Sequence, residues 1–184
     1  MTNAENLWNE FIDGNELSFE KLMKLYSRTL LNYGSKFTQD KELIKDTLQE
    51  LFIYLWNRKE KLSAAVNPKM YLTASFRRML HRKIQSEKPF LKETKSEEYF
   101  SYFHFELSVE ENIISNESTS IQAKNIAQKI ELLPKRQKEV IYLKFFYGLN
   151  RNEIAEVMEI SEQTVSNLLQ LAFKFLRAYS FYHC

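Results

Sequence analysis

Between Leu133 and Arg177 the chain carries one helix start, one stop and two further starts, spaced too tightly for anything but short helices. Leu133-Pro134-Lys135-Arg136 leads into the apolar run Val140-Ile141-Tyr142-Leu143, which halts at Gly148. Proline, with its fixed φ and missing N–H, suits a first helical position, and Gly148 suits a left-handed helix end. Asn150 and Glu153 then have the spacing of a capping box, with Asn in place of the usual Ser or Thr. After a short break at Glu159-Ile160-Ser161, Ser161 can cap a last helix opened by Gln163-Thr164-Val165. Two helices so closely joined meet at a steep angle, the geometry that lays the second helix in the major groove of DNA. The same hairpin can also bury nothing beyond its own core, and spacing alone leaves both readings open.

The rest of the chain has the same helical bias. Its 184 residues include only three glycines and three prolines, and 27% of them are charged. An all-α fold follows, with two small helical domains joined by a linker, the C-terminal one a helix-turn-helix. The domains are placed at 1–87 and 121–184, with the linker over 88–120. Lys88-Pro89, the acidic pairs Glu97-Glu98 and Glu110-Glu111 and the Ser/Asn/Thr cluster at 115–120 mark that linker. Tyr99, Phe100, Tyr102, Phe103 and Phe105 make its middle too apolar for an ordinary tether. They are expected to fold onto one of the domains; the alternative is that they dock on a partner.

Several function classes have no support. His81, His104 and His183 are scattered without ligand spacing, and there is no glycine loop for phosphate and no nucleophile–base set. Neither an enzyme nor a metal or cofactor is expected. The single cysteine, Cys184, allows no disulfide framework and points to a reducing, cytoplasmic compartment. No signal peptide is visible, and no apolar run nears the roughly 20 residues of a membrane span.

Charge is unevenly placed. Residues 57–87 hold eight Lys and Arg against two acidic residues, while 88–120 hold three against seven. A basic segment inside a chain of net charge +2 is the footprint of a phosphate backbone, with a solvated helix face as the bland alternative.

Two N-terminal helices carry the rest of the functional signal. Over roughly 40–58, Ile44, Leu48, Leu51, Phe52 and Leu55 share one arc, with Trp56 at its edge. The opposite arc bears Asp46, Gln49, Glu50 and Asn57, with Ile53 in its middle. A polar face with an apolar centre is built like a protein contact, although single exposed aliphatics are common. The second helix runs from Asn67 as cap and Pro68 as first residue to about Ile84. Leu72, Phe76, Met79 and Leu80 form its inner arc. Arg77, Arg78, His81 and Arg82 are expected on the other side, near Tyr71, with Arg58, Lys59, Lys61 and Lys69 around the preceding loop. Cations neutralise phosphate and a ring replaces lost base stacking, so this face suits opened nucleic acid. Tyr71 can equally be core.

Three stretches together resemble the extracytoplasmic-function group of bacterial sigma factors. Asp46-Thr47-Leu48-Gln49-Glu50-Leu51-Phe52 with Leu55-Trp56 is similar to the family's polymerase-binding helix. Lys69-Met70-Tyr71-Leu72 with Arg77-Arg78 resembles its −10 and melting segment. Leu133-Pro134 through Ile154-Ala155 to Thr164-Val165 resembles its −35-reading domain. The resemblance covers about 17–84 and 121–177. It implies a sigma factor that binds core RNA polymerase through Asp46, Gln49, Glu50 and Ile53, and directs initiation at specific promoters. It further implies capture and opening of the −10 element by Lys61, Asn67, Lys69, Tyr71, Arg77, Arg78, His81 and Arg82. The −35 duplex would be read by Gln163, Ser166, Asn167 and Gln170 on base edges, with Arg151, Thr164 and Lys174 on phosphates. Promoter DNA, polymerase and an anti-sigma protein are the partners implied, with no membrane insertion of this chain.

Two departures stand out. Glu159 occupies a turn position where the family often has Gly. The last helix also has few cations: beside the inner stripe Val165, Leu169, Ala172 and Leu176 lies a second one of Leu168, Leu171, Phe175 and Tyr179. That second stripe is expected either to enlarge the local core, covered by the tail or by linker aromatics, or to bind an anti-sigma protein. Two rival functions remain at this level. One is a dimeric helix-turn-helix regulator, which leaves the 40–57 face without a role. The other is an adaptor on a sigma scaffold, which leaves the basic 57–87 segment without one.

Overall fold

The computed structural model describes residues 3–64, 66–87, 103–105 and 125–181, the side chains of 87 and 179–181 excepted. Among the described residues there are helices and no strand, and the chain divides into two compact units, Met1–Tyr99 and Phe100–Cys184.

The N-terminal unit is built from α1 (Asn3–Ile12), α2 (Glu16–Gly34), α3 (Lys41–Asn57), a 3-10 turn (Lys59–Lys61) and α4 (Pro68–Glu87). Each long helix starts on a side-chain cap: Asn15 Oδ1 accepts from the Ser18 amide (3.1 Å), Asp40 Oδ1 from Leu43 (2.9 Å) and Asn67 Oδ1 from Met70 (3.3 Å). Between α1 and α2 the chain reverses through Gly14, whose φ of +94° is one that side-chain-bearing residues rarely adopt. Helical spacing then sets the core. Leu7, Trp8 and Phe11 of α1, Leu22, Tyr26 and Leu30 of α2, Leu51 and Leu55 of α3, and Leu72, Phe76 and Leu80 of α4 are all buried. Rings pack at one end, with Phe11 stacked on Phe19 (4.7 Å) and Phe19 beside Trp56 (5.2 Å). Trp8 Nε1 donates to the Ser63 carbonyl (3.1 Å), which ties the loop ahead of α4 to the first helix.

At Gly34 the helices come too close for a side chain. A Cβ there would lie 2.8 Å from Ile44 Cγ2 and 3.1 Å from the Phe76 ring. Gly34→Ala is therefore expected to destabilise this unit by about 1–3 kcal/mol through overpacking, despite alanine's higher helix propensity. Thermal unfolding of the variant measures it.

The C-terminal unit comprises α5, described over 125–131, α6 (Lys135–Ile141) running into a π turn (Tyr142–Phe146), α7 (Arg151–Met158) and α8 (Glu162–Phe181). Val140, Leu143, Ile154, Val157, Val165 and Ala172 are sealed at its centre. Pro134 sits one position earlier than expected. It is the N-cap, and its carbonyl accepts from the Lys138 amide (3.0 Å). The π turn is absent from any periodicity argument: the Tyr147 amide reaches back five residues to Tyr142 O (2.9 Å). Gly148 ends the segment at φ +76°, the left-handed stop expected of it.

Candidate nucleic-acid and protein interfaces

The exposed arc of α3 is as the wheel placed it. Asp46, Gln49, Glu50 and Asn57 face solvent, and Ile53 stands 52% exposed among them. Beside Ile53 lies an apolar groove of about 500 Å³ between α2 and α3, walled by Phe19, Met23, Leu31, Leu48, Phe52 and Trp56. The α2 wall was missed from sequence. Its signal was a second apolar stripe, Phe19, Met23 and Leu31, one residue beyond the buried stripe Leu22, Tyr26, Leu30. Glu50 is not free on this face, since Lys83 of α4 reaches it at 2.6 Å.

On α4 the structure separates residues that the sequence reading grouped. Arg78 and Arg82 are exposed, His81 is half-buried with Nδ1 3.1 Å from Gln85 Nε2, and Lys61 projects from the 3-10 turn. Asn67 is engaged as the cap and Lys69 is half-buried. Arg77, expected beside Arg78, is only 5% exposed. The reason is packing. Positions four before and three after it, Thr73 and Leu80, are buried at 0% and 1%, because α4 is covered by α1, α2 and α3 and not by one neighbour. Arg77 thus belongs to the inner stripe. Tyr71 is half-buried, its ring 5.5 Å from Trp8. Burial, then the Tyr54 hydroxyl, pushes its phenol up, against the Ser75 hydrogen bond and the nearby Arg78 and Arg58. Tyr54 and Arg58 join this cluster: Arg58 Nη1 donates to Tyr54 Oη (2.6 Å), and its guanidinium lies 5.2 Å from that ring. Tyr54 was not singled out from sequence because it falls on the far arc of α3, away from the basic segment.

In the C-terminal unit the caps set the hairpin. Asn150 and Glu153 form both bonds of the capping box (2.7 and 3.0 Å), and the Thr164 amide donates to Ser161 Oγ (3.1 Å). The arc of α8 that leads away from the core carries Gln163, Asn167, Gln170 and Lys174, all exposed, with Thr164 and Ser166 half-buried at its margin. Gln163 Nε2 donates to Asn167 Oδ1 (3.0 Å), so the two amides hold one another in place. Arg151 is exposed at the start of α7.

Residues 123–176 match the family model described as Sigma-70, region 4. That match covers less than a third of the chain, its C-terminal helical unit from α5 into α8. Over nearly the whole chain the fold also matches two solved structures. One is CnrH in complex with the cytosolic domain of CnrY, with 15% identity, TM-score 0.63, and 98% of this chain and 99% of that one covered. The other is the sigma factor RpoE in complex with the anti-sigma factor NepR from Bartonella quintana, with 14% identity, TM-score 0.59, and 87% and 94% covered. The likeness is one of fold. No curated protein sequence matches the chain. No helix is long and apolar enough to cross a membrane, among the described residues.

This region 4-like unit has two features of its own. Its turn residue Glu159 adopts φ +55°, ψ +47°, so the left-handed conformation is present without glycine. The left-handed cost of about 1–2 kcal/mol exceeds glycine's entropic cost of about 0.5–1 kcal/mol. Glu159→Gly is expected to stabilise region 4 by about 0.5–1 kcal/mol, read as a raised melting temperature. Secondly, among the described residues the second apolar stripe is not enclosed. Leu171 is 53% and Phe175 37% exposed, Leu168 is half-buried, and the side chain of Tyr179 lies outside the described residues.

The aromatics of the linker cover a different surface. Phe103 and Phe105 are buried, with rings 6.1 and 6.3 Å from Tyr142 and Phe105 5.0 Å from Phe146. They fold onto this unit, against α6 and the π turn, while Tyr99, Phe100 and Tyr102 lie outside the described residues. Glu131 of α5 organises the contact. Its Oε2 accepts from the Phe105 amide (2.6 Å), and its Oε1 lies 2.8 Å from Lys138 Nζ and 3.0 Å from His104 Nδ1. Burial pushes this carboxyl up, but Lys138, the Phe105 amide and His104 together hold it below the usual carboxylate range.

Proposed function

We propose that the chain is a sigma factor of the extracytoplasmic-function type. It binds core RNA polymerase in the cytoplasm and directs it to promoters through −10 and −35 elements. The observation that carries this is the pairing of a region 4 domain, with the polar arc of α8 exposed, with a unit whose α3 presents Ile53 beside an apolar groove. A self-sufficient DNA regulator has no use for that groove.

In this reading Asp46, Gln49, Glu50 and Ile53 meet polymerase. Lys61, Asn67, Lys69, Tyr71, Arg78, His81 and Arg82 engage the −10 region, joined by Tyr54 and Arg58, while Arg77 supports them from inside. Gln163, Ser166, Asn167 and Gln170 meet base edges of the −35 duplex, and Arg151, Thr164 and Lys174 meet phosphates. The chain supplies recognition, and polymerase supplies the chemistry. The test is to add the purified chain to core polymerase on a promoter that core alone ignores. Initiation supports the reading; failure to bind polymerase overturns it.

We propose an anti-sigma protein as the occupant of the exposed Leu171–Phe175 flank; RpoE, a protein of similar fold, is in complex with the anti-sigma factor NepR in its solved structure. Leu171→Ser with Phe175→Ser is expected to leave melting within about 0.5 kcal/mol of the parent, as for exposed sites, and to abolish capture by such a partner. A large fall in melting temperature would return these residues to the core.

A further inference from the structure

Gln163 and Asn167 lie one helical turn apart near the start of α8, and both are exposed. On the opposite face of the same helix Val165, Leu169 and Ala172 are buried in the core of the unit. The hydrogen bond from Gln163 Nε2 to Asn167 Oδ1 (3.0 Å) fixes both side-chain amides before any ligand arrives. It consumes one N–H of Gln163 and one lone pair of Asn167. The Asn167 Nδ2 donors, its second Oδ1 lone pair and the Gln163 Oε1 acceptor are left over. Exchanging O and N in both amides reverses the bond and leaves the same kind of inventory.

A donor therefore stands beside an acceptor, and adenine matches that pattern in the major groove with its N7 acceptor and N6 donor. Guanine presents two acceptors, N7 and O6, and is best met by the paired donors of Arg or Lys. From Glu162 to Phe173 α8 has neither residue type; its first cation is Lys174. We propose that Gln163 and Asn167 act as one unit that reads adenine in duplex DNA and discriminates against guanine. This rests on the proposed function, in which the polar arc of α8 enters the duplex, and adds which base that arc selects. The pairing matters because a lone amide loses rotamer freedom when it docks on a base. Here each amide has already restrained the other, so less is lost in the complex. Mutual dependence follows: removing either amide releases its partner. Arg151 and Lys174, by contrast, meet phosphates, which are alike in every sequence.

The test is selection by the full chain from duplexes randomised over about one helical turn, the span of a reading helix and its flanks. Low salt strengthens the backbone attraction that the few cations provide. At one base pair the parent is expected to enrich adenine over guanine by at least about fivefold, the discrimination of a good bidentate contact. Gln163→Ala and Asn167→Ala are each expected to flatten that preference at the same base pair, with melting unchanged because both side chains are exposed. Lys174→Ala is expected to weaken binding evenly across sequences and to keep the preference. The proposal is overturned if the parent enriches guanine or no base at all. It is equally overturned if either amide can be removed with the preference intact. The selection uses no polymerase, so the two readings fail separately. A chain that selects adenine without binding polymerase keeps this inference and loses the proposed function; one that initiates without selecting adenine does the reverse.

Discussion

Arg77→Glu is expected to melt the N-terminal unit about 15–30 °C below the parent, whereas Arg78→Glu one residue on is expected to melt normally and lose promoter opening. The two arginines are adjacent in sequence and opposite in environment: Arg77 is 5% exposed on the stripe of Thr73 and Leu80, and Arg78 is exposed. A carboxylate at position 77 puts the opposite charge where a buried cation stood, a loss of roughly 3–5 kcal/mol. In a unit of this size each kcal/mol moves the midpoint by about 4–8 °C. At position 78 the same reversal stays within about 0.5 kcal/mol in stability. It replaces attraction to phosphate by repulsion, and open-complex formation should drop at least about tenfold with polymerase binding retained. Circular-dichroism melting and a promoter-opening assay on both variants separate the roles. Normal melting of Arg77→Glu would show that its side chain can swing out to solvent.

The second large effect is at Ile53. Ile53→Asp should leave the melting curve in place, because the side chain is already half in water, and should weaken binding to core polymerase by about 30–100-fold. That is the loss expected when the apolar centre of an interface is replaced by a charge. Ile53 is a cleaner probe than Glu50, whose removal also frees Lys83. Titration of labelled core polymerase with parent and variant measures the difference, and equal affinities would move the polymerase contact off this face.

Local signals carried through: Asn67 and Pro68 start α4, Asn150 and Glu153 close their box, Gly148 stops the π turn, and the wheel of α3 sorts inside from outside. Each depends on neighbours within four residues. Arg77 went wrong because α4 is enclosed by three helices, so no single polar arc exists to be read. The π turn adds one residue to a turn and redirects Phe145 and Phe146 outward, a shift invisible to a fixed 100° period. The seating of Phe103 and Phe105 depends on Glu131 and Tyr142, more than twenty residues away, and only their apolar character hinted at it.

The Lys83–Glu50 ion pair joins the two faces proposed to bind polymerase and DNA, since Glu50 sits on the exposed arc of α3 and Lys83 on α4. A ligand that engages Glu50 releases Lys83 for phosphate, and DNA that takes Lys83 releases Glu50. Thermodynamic reciprocity requires the two effects to be equal. An ion pair with side chains 54% and 25% exposed is worth no more than about 1 kcal/mol. In the proposed reading, polymerase and DNA would change one another's affinity through this contact by up to about fivefold.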